Sequence, residues 1–295
     1  MNTEKDIRDD EIRVIGKEGK LSHSDKKRRW IKIGISLVSI GFIVVLFTML
    51  LSKKTQPQED IPTYFDPQPE IEIQDHQTPK RLGRDIDSLS RGFIEIQDTI
   101  INDIPLRIYI PHNADMSLHV GRLNKHDSDI IFAAQAADIR RDNKRIVGAF
   151  VLKGEPLAWG LSKKGYCAII NGEITIGITD NSPLFEEATE KGGYFFRQYP
   201  LVDNGKLVEN KPKNKAIRRA LCDRNGEVMM VESLSNESFH DFALALVDLG
   251  MTNAIYLVGS TAFGWAVDDC GNRIEFGIED PRLPQNASYI VWRRK

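Results

Sequence analysis

Cysteine is scarce in this chain: three residues among 295, Cys167, Cys222 and Cys270. None stands in a CxxC pair or at any ligand-like spacing, which excludes a structural zinc site of the usual kind. Outside the cytoplasm an odd count leaves at least one thiol free or bonded to a partner. Cys167 and Cys222 both fall in strand-like runs, where they either pair or serve as small buried apolar residues. Histidine is sparse too, and His112, His119, His126 and His240 show no HxH or HxxxH spacing. No metal ligand is assigned, and no cofactor is expected. GxSxG, P-loop and dinucleotide fingerprints are missing, which removes the commonest hydrolase, nucleotide and dehydrogenase readings. Net charge is also small, formally -2, so the overall balance does not indicate a nucleic-acid partner.

What is present is ordinary globular composition, 41% hydrophobic and 28% charged, with an uneven layout. Lys26, Lys27, Arg28 and Arg29 make the amino-terminal region densely basic, whereas Glu59 to Asp75 is mostly acidic. Between them Ile33 to Ser52 carries no charge. About 20 such residues span the ~30 Å hydrocarbon core as a helix, which satisfies its own backbone polar groups. Lys17, Lys20 and the 26–29 cluster precede the run, and only Lys53 and Lys54 follow closely, so the amino terminus is expected to stay cytoplasmic. A cleaved signal peptide is the rival reading. The long basic region, the long apolar run and the lack of a small-x-small site before Lys53 oppose it.

The expected organisation is a basic cytoplasmic tail (1–32), a single transmembrane helix (33–52), an extended Pro-, Gln- and acid-rich spacer (53–91) and a folded extracytoplasmic (periplasmic) domain (92–295). The lipid bilayer is then the first partner, met through Ile33 to Ser52.

The domain reads mostly as strands. Phe93–Ile96 and Leu106–Ile110 flank Asn102-Asp103 as a hairpin. Arg145 to Asp180 reads as a meander with turns at Lys153-Gly154, Lys164-Gly165 and Asn171-Gly172, the last a strong hairpin signal because both residues tolerate positive φ. Ile217–Cys222 and Val228–Glu232 form another hairpin across Arg224-Asn225-Gly226. Pro183 to Lys191 is a short helix. Phe239, Phe242, Ala243, Leu246 and Val247 place one apolar face on a longer helix, capped by Ser235 or Asn236 and ended by Gly250. The fold class expected is α+β, a strand-dominated mixed sheet with one principal packed helix, preceded by the transmembrane helix.

Several segments, in order, resemble the phosphodiester glycosidase family, relatives of the enzyme that uncovers mannose-6-phosphate tags. Ala133-Ala134-Gln135-Ala136-Ala137 is similar to the family's early Ala-Asn element, and Ile146-Val147-Gly148-Ala149-Phe150 to its Pro-Val-Gly strand start. Arg218-Arg219-Ala220-Leu221 resembles its Arg-Thr-Ala strand, and Tyr199 to Gly205 its Pro-Leu-Val hairpin. The helix ending Leu249-Gly250 and the segment Asn253 to Thr261 resemble its last two features, a helix ending in Leu-Gly and an Asn-Leu-Asp-Gly-Gly-Gly-Ser-Ser loop. The resemblance spans Asp129 to Val267. Two departures matter: the loop acid falls at Val258, and the early asparagine is Gln135.

The resemblance implies that Arg218 faces the site and binds phosphate, with Arg219 on the opposite face of the strand. Gln135 would join it in substrate binding. The loop Gly259, Ser260 and Thr261 would hold charge developing on oxygen through its backbone N–H groups. Valine supplies no acid or base, so Asp138 is the candidate catalytic carboxylate, with Asp142, Glu232, Asp268 and Asp269 as alternatives. Trp159, Trp265 and Trp292 are candidates for stacking on a sugar, with core packing as the rival fate. The expected function is hydrolysis or binding of a phosphodiester-linked sugar of the cell envelope, the alternative being a catalytically inactive glycan-binding or envelope-assembly module.

Overall fold

The computed structural model describes residues 81–295. The tail, the apolar run at 33–52 and most of the spacer lie outside the described residues. Among the described ones no helix is long and apolar enough to cross a membrane.

Among the described residues seventeen strands form three sheets, accompanied by two helices. The first has the order β1 (Phe93–Ile101), β2 (Ile104–His112), β13 (Glu227–Ser233), β12 (Arg219–Arg224), β14 (Asn253–Leu257), β10 (Pro200–Asp203), β11 (Lys206–Leu207). The second runs β16 (Arg273–Phe276), β15 (Gly264–Val267), β4 (Ile130–Gln135), β17 (Ser288–Arg294), β3 (Ala114–Val120). The third runs β6 (Glu155–Trp159), β5 (Ala149–Leu152), β9 (Tyr194–Gln198), β7 (Gly165–Ile170), β8 (Glu173–Ile178). Every strand pairing in them is antiparallel. The strand-dominated α+β class is as expected.

Alternation along the strands sorts side chains into layers. Tyr109, Leu221, Met230, Ile255 and Leu257 from the first sheet meet Phe132, Ile290 and Trp292 of the second and Phe150, Cys167 and Phe196 of the third in one central core. The opposite face of the first sheet, with Ile108, Ala220, Val231 and Ala254, is covered by helix α2 (Phe239–Asp248) through Phe239, Phe242, Ala243 and Leu246. The shorter helix α1 (Leu184–Glu190) covers the outer face of the third sheet, where Ala188 packs with Ala149, Val151 and Phe195. Each large apolar side chain removed from water contributes about 1.5–3 kcal/mol, so the two buried phenylalanines anchor α2.

The hairpins expected from turn chemistry are present. Asn102 and Asp103 (φ 51 and 62), Asn171-Gly172 (φ 53 and 82) and Asn225-Gly226 (φ 53 and 86) all take the left-handed conformation that such tight reversals require. The meander is corrected. Strands β5/β6 and β7/β8 pair as hairpins, but β9 lies between β5 and β7. Phe195 and Phe196 point to opposite faces and both are wholly buried, so β9 suits only a central place. The cap of α2 also moves: Ser238 Oγ accepts from the Asp241 N–H at 3.0 Å and donates to its carboxylate at 2.8 Å. Ser235 and Asn236 precede Glu237, whose backbone is bridged to Ala216, so the helix cannot start before Ser238. Gly250, at φ 84, ends it.

Upstream of β1 the chain already touches the domain. The Leu82 and Gly83 N–H groups donate to the two carboxylate oxygens of Glu227, at 2.8 and 3.1 Å. The cysteines are all free, Cys167 and Cys222 buried and Cys270 exposed. Burial raises both buried thiols well above their usual range, so they act as small apolar residues.

Candidate functional site

Strands β4 and β14 belong to different sheets, yet their carboxyl ends meet: the Val258 N–H donates to Gln135 O at 3.1 Å. Two loops leave from this junction. One runs Ala136-Ala137-Asp138 and turns back at Lys144 (φ 58), bridging Ile139 to Ile146 and carrying exposed Arg140 and Arg141. The other is Gly259-Ser260-Thr261. Between them lies an open cleft of about 770 Å³ lined by Gln135, Asp138, Val258 and this loop, with Arg140, Arg141, Lys144 and Arg282 on its walls and the acids Glu279 and Asp280 among them, Glu279 paired with Lys125 at 2.8 Å. Of the site residues expected from sequence, Gln135, Asp138, Gly259, Ser260 and Thr261 are therefore brought together.

Arg218 is not among them, and its assignment is corrected. Its side chain lies on the α2 side of the first sheet, with the guanidinium 4.1 Å from the Phe239 ring centre. It donates to Glu237 O at 2.8 Å and to Asn214 O, and it is 3% exposed. These contacts consume it in fastening the start of α2 to the loop before β12. Arg218 and Arg219 lie on opposite faces of the sheet, as alternation requires, and the face toward the 259–261 loop is that of Arg219. Arg218→Leu is expected to cost about 1–3 kcal/mol of stability, because buried carbonyls lose their donors. Ligand binding in the cleft should not change; a titration in which it fell with stability preserved would restore Arg218 to the site.

Arg219 is the arginine that reaches the loop. It is 1% exposed, lies over the Phe276 ring at 4.5 Å, and donates to Glu232 Oε1 at 2.7 Å and to Ala262 O at 2.6 Å. Glu232 Oε2 accepts from the Tyr109 hydroxyl at 3.1 Å. Burial first, then the Glu232 charge, raises the tyrosine far above its usual range. This buried triad lines a second hollow of about 370 Å³ that shares Ser260 and Thr261 with the cleft. Glu232 is thus committed to Arg219 rather than free for acid/base chemistry.

The loop is tight for a steric reason. A Cβ on Gly259 would stand 2.2 Å from Ile217 O, and Ser260 takes φ 55. The expected anion cradle is reduced, because the Gly259 N–H donates to the Tyr256 hydroxyl at 3.1 Å and the Ser260 N–H to Ile217 O at 2.8 Å. The loop therefore offers a ligand its exposed Ser260 and Thr261 hydroxyls rather than a row of amides.

Asp138 sits one-third exposed on the cleft wall, its Oδ2 bonded to the ammonium of Lys163. Lys163 was not foreseen: Lys163-Lys164 before Gly165 reads as an ordinary polar turn. It is 4% exposed, donates also to Gln198 Oε1 at 2.7 Å and lies 4.6 Å from the Tyr199 ring centre. Burial lowers its pKa, with Asp138 pulling in the other direction. Gln198 in turn donates to Ala136 O at 3.3 Å, so the third sheet braces the Asp138 segment.

The remaining candidates lie elsewhere. Asp142 is exposed beside Arg140. Asp268 is occupied in a turn by the Asn272 N–H and amide, and Asp269 pairs with Arg84 at 2.5 Å. Trp265 and Trp292 are core residues, whereas Trp159 is 66% exposed on edge strand β6.

No family model matches the chain, and neither does any curated protein. Among solved structures the chain is similar to the zebrafish N-acetylglucosamine-1-phosphodiester alpha-N-acetylglucosaminidase catalytic domain, auto-inhibited by its pro-peptide. Identity is 12% and the TM-score 0.49, over 69% of this chain and 83% of that one. It is also similar to a hypothetical protein from Synechocystis, at 13% identity and TM-score 0.47, over 68% of this chain and 62% of that one. Such likeness concerns the path of the backbone, and no residue of the cleft is assigned from it.

Proposed function

We propose that the domain binds a sugar carrying a phosphodiester, seated between the Asp138 segment and the Ser260–Thr261 loop. The observation that carries this reading is the pairing of two chemistries in one cleft. Arg140, Arg141, Lys144 and Arg282 outnumber the wall acids Glu279, itself paired with Lys125, and Asp280, and suit an anion, while Gln135, Asp138 and the loop hydroxyls suit sugar hydroxyls. Binding is favoured over turnover because Val258 stands where the resembling family carries its loop acid, and Glu232 is held by Arg219. Hydrolysis is the second reading. It is favoured by Asp138, a carboxylate open to the cleft with an ammonium behind it.

The proposal places this module outside a membrane, anchored through residues 33–52; the uncharged run and its basic amino-terminal flank support that. Protease treatment of intact and permeabilised cells tests it, since digestion of the domain only after permeabilisation of the anchoring membrane would reverse the topology. The binding reading is tested by titrating the full chain with the methyl phosphodiester of N-acetylglucosamine 1-phosphate. Replacing Arg140 and Arg141 together by alanine is expected to weaken binding about tenfold at low salt, equivalent to ~1.4 kcal/mol, and less as salt screens the rim. Unchanged affinity in that variant would remove the anion from this cleft.

A further inference from the structure

Lysine is seldom buried, because its long stem normally lets the ammonium reach water. Lys163 is 4% exposed and its ammonium is held from three sides, by Asp138 Oδ2, by Gln198 Oε1 at 2.7 Å and by the Tyr199 ring at 4.6 Å. Gln198 cannot adjust freely, because its oxygen also accepts the Tyr199 N–H at 3.0 Å and its amide nitrogen reaches Ala136 O. The two charges of the pair are unequally buried. Here the lysine side chain is 3% exposed and the aspartate 36%, with the aspartate on the wall of an open cleft. Asp138 Oδ1 has no protein donor among the described residues, so one oxygen is fixed from behind and the other is left for a ligand.

We infer that Lys163 is the positioning residue of the cleft: by holding Asp138 Oδ2 it presents Oδ1 to a hydroxyl of the bound sugar, while the arginines of the rim take the anion. This rests on the reading of the cleft as a phosphosugar site, and it divides the work. The rim responds to charge, and the Lys163–Asp138 couple responds to hydroxyl groups. A carboxylate oxygen accepting from a sugar hydroxyl is a charge-assisted hydrogen bond, and its geometry depends on which way the carboxylate is turned.

Two probes separate the contributions: inorganic phosphate, an anion alone, and glucose 1-phosphate, a phosphate ester that adds the sugar hydroxyls. Calorimetric titration of the full chain is expected to show glucose 1-phosphate binding about tenfold tighter than phosphate. In Lys163→Met the uncompensated Asp138 charge weakens both probes, and the tenfold ratio between them should collapse to about one. Equal loss of both probes, or retention of the tenfold advantage, overturns the inference. If the wild-type chain binds phosphate and glucose 1-phosphate equally, the inference fails while the anion site stands; if it binds neither of them nor the methyl phosphodiester of N-acetylglucosamine 1-phosphate, the cleft reading itself fails. Because Lys163→Met risks misfolding, ¹⁵N spectra of the wild-type lysine ammonium groups give a second measurement. Glucose 1-phosphate should shift the Lys163 signal more than phosphate does, and equal shifts would refute the positioning role.

Discussion

Arg219→Met should destabilise the protein by about 3–5 kcal/mol, the usual consequence of breaking a buried ion pair from one side. Methionine approximates the stem but removes the donors to Glu232 Oε1 and Ala262 O, and it forfeits the guanidinium above Phe276. Glu232, its side chain 6% exposed, would keep only the Tyr109 hydroxyl. Equilibrium urea unfolding of the full chain, followed through the buried Trp265 and Trp292, measures the change. The partner experiment is Arg219→Met with Glu232→Leu. Removing both charges eliminates the orphaned carboxylate, so most of the loss should be recovered. A single variant losing less than about 1 kcal/mol would mean that water reaches Glu232 from the adjoining hollow.

Gly259→Ala tests the loop itself. Its new methyl carbon would lie 2.2 Å from Ile217 O and 3.2 Å from Ile217 C, both backbone atoms that cannot swing aside. The problem is space rather than a left-handed conformation, which belongs to the next residue, Ser260. Relief requires the loop to lift from the Ile217 segment, breaking the Ser260 N–H bond to Ile217 O and carrying the Ser260 and Thr261 hydroxyls away from Asp138. The expected cost is about 1–3 kcal/mol of stability, as for other overpacked sites. Affinity for glucose 1-phosphate should fall more than tenfold, above ~1.4 kcal/mol. Thermal unfolding and the same titration read the two effects. Wild-type affinity in a folded Gly259→Ala chain would show that the loop does not touch the ligand.

The sequence was most legible where backbone conformation is set locally. Asn-Gly at 171–172 and Asn225-Gly226 announce their hairpins because few residues accept positive φ, and the apolar spacing of α2 shows which face it buries. Legibility failed where a choice depended on what packs against an element. Nothing in Tyr194-Phe-Phe-Arg-Gln198 indicates that it enters between two finished hairpins; only burial on both faces, a tertiary property, demands it. Arg218 and Arg219 alternate as expected, yet which side faces the site depends on α2 occupying the other. Lys163 was invisible for the same reason. Two consecutive lysines before a glycine look solvated, and their difference arises from Gln198 and Asp138, 35 and 25 residues away. Gln135, Asp138 and the 259–261 loop were singled out through the family resemblance, and they share one cleft because they lie just past the ends of β4 and β14.

Strand β17 has a consequence in time. Residues 288–294 lie between β3 and β4, pairing Ser288 with Val120 and Val291 with Ala133, so an interior strand of the second sheet is the last of these strands to be synthesised. At ~5–20 residues per second, β4 waits on the order of ten seconds for β17, and for most of that time its other edge is unpaired too, because its second neighbour β15 is also made late. During that interval Phe132 and its neighbours have no Trp292 to pack on, and the edges of β3 and β4 are open to any extended chain. Ser288 also supplies the hydroxyl that receives the Ala137 N–H at 3.1 Å, one residue before Asp138. The cleft beside Asp138 is therefore assembled late, after the sheet beneath it closes.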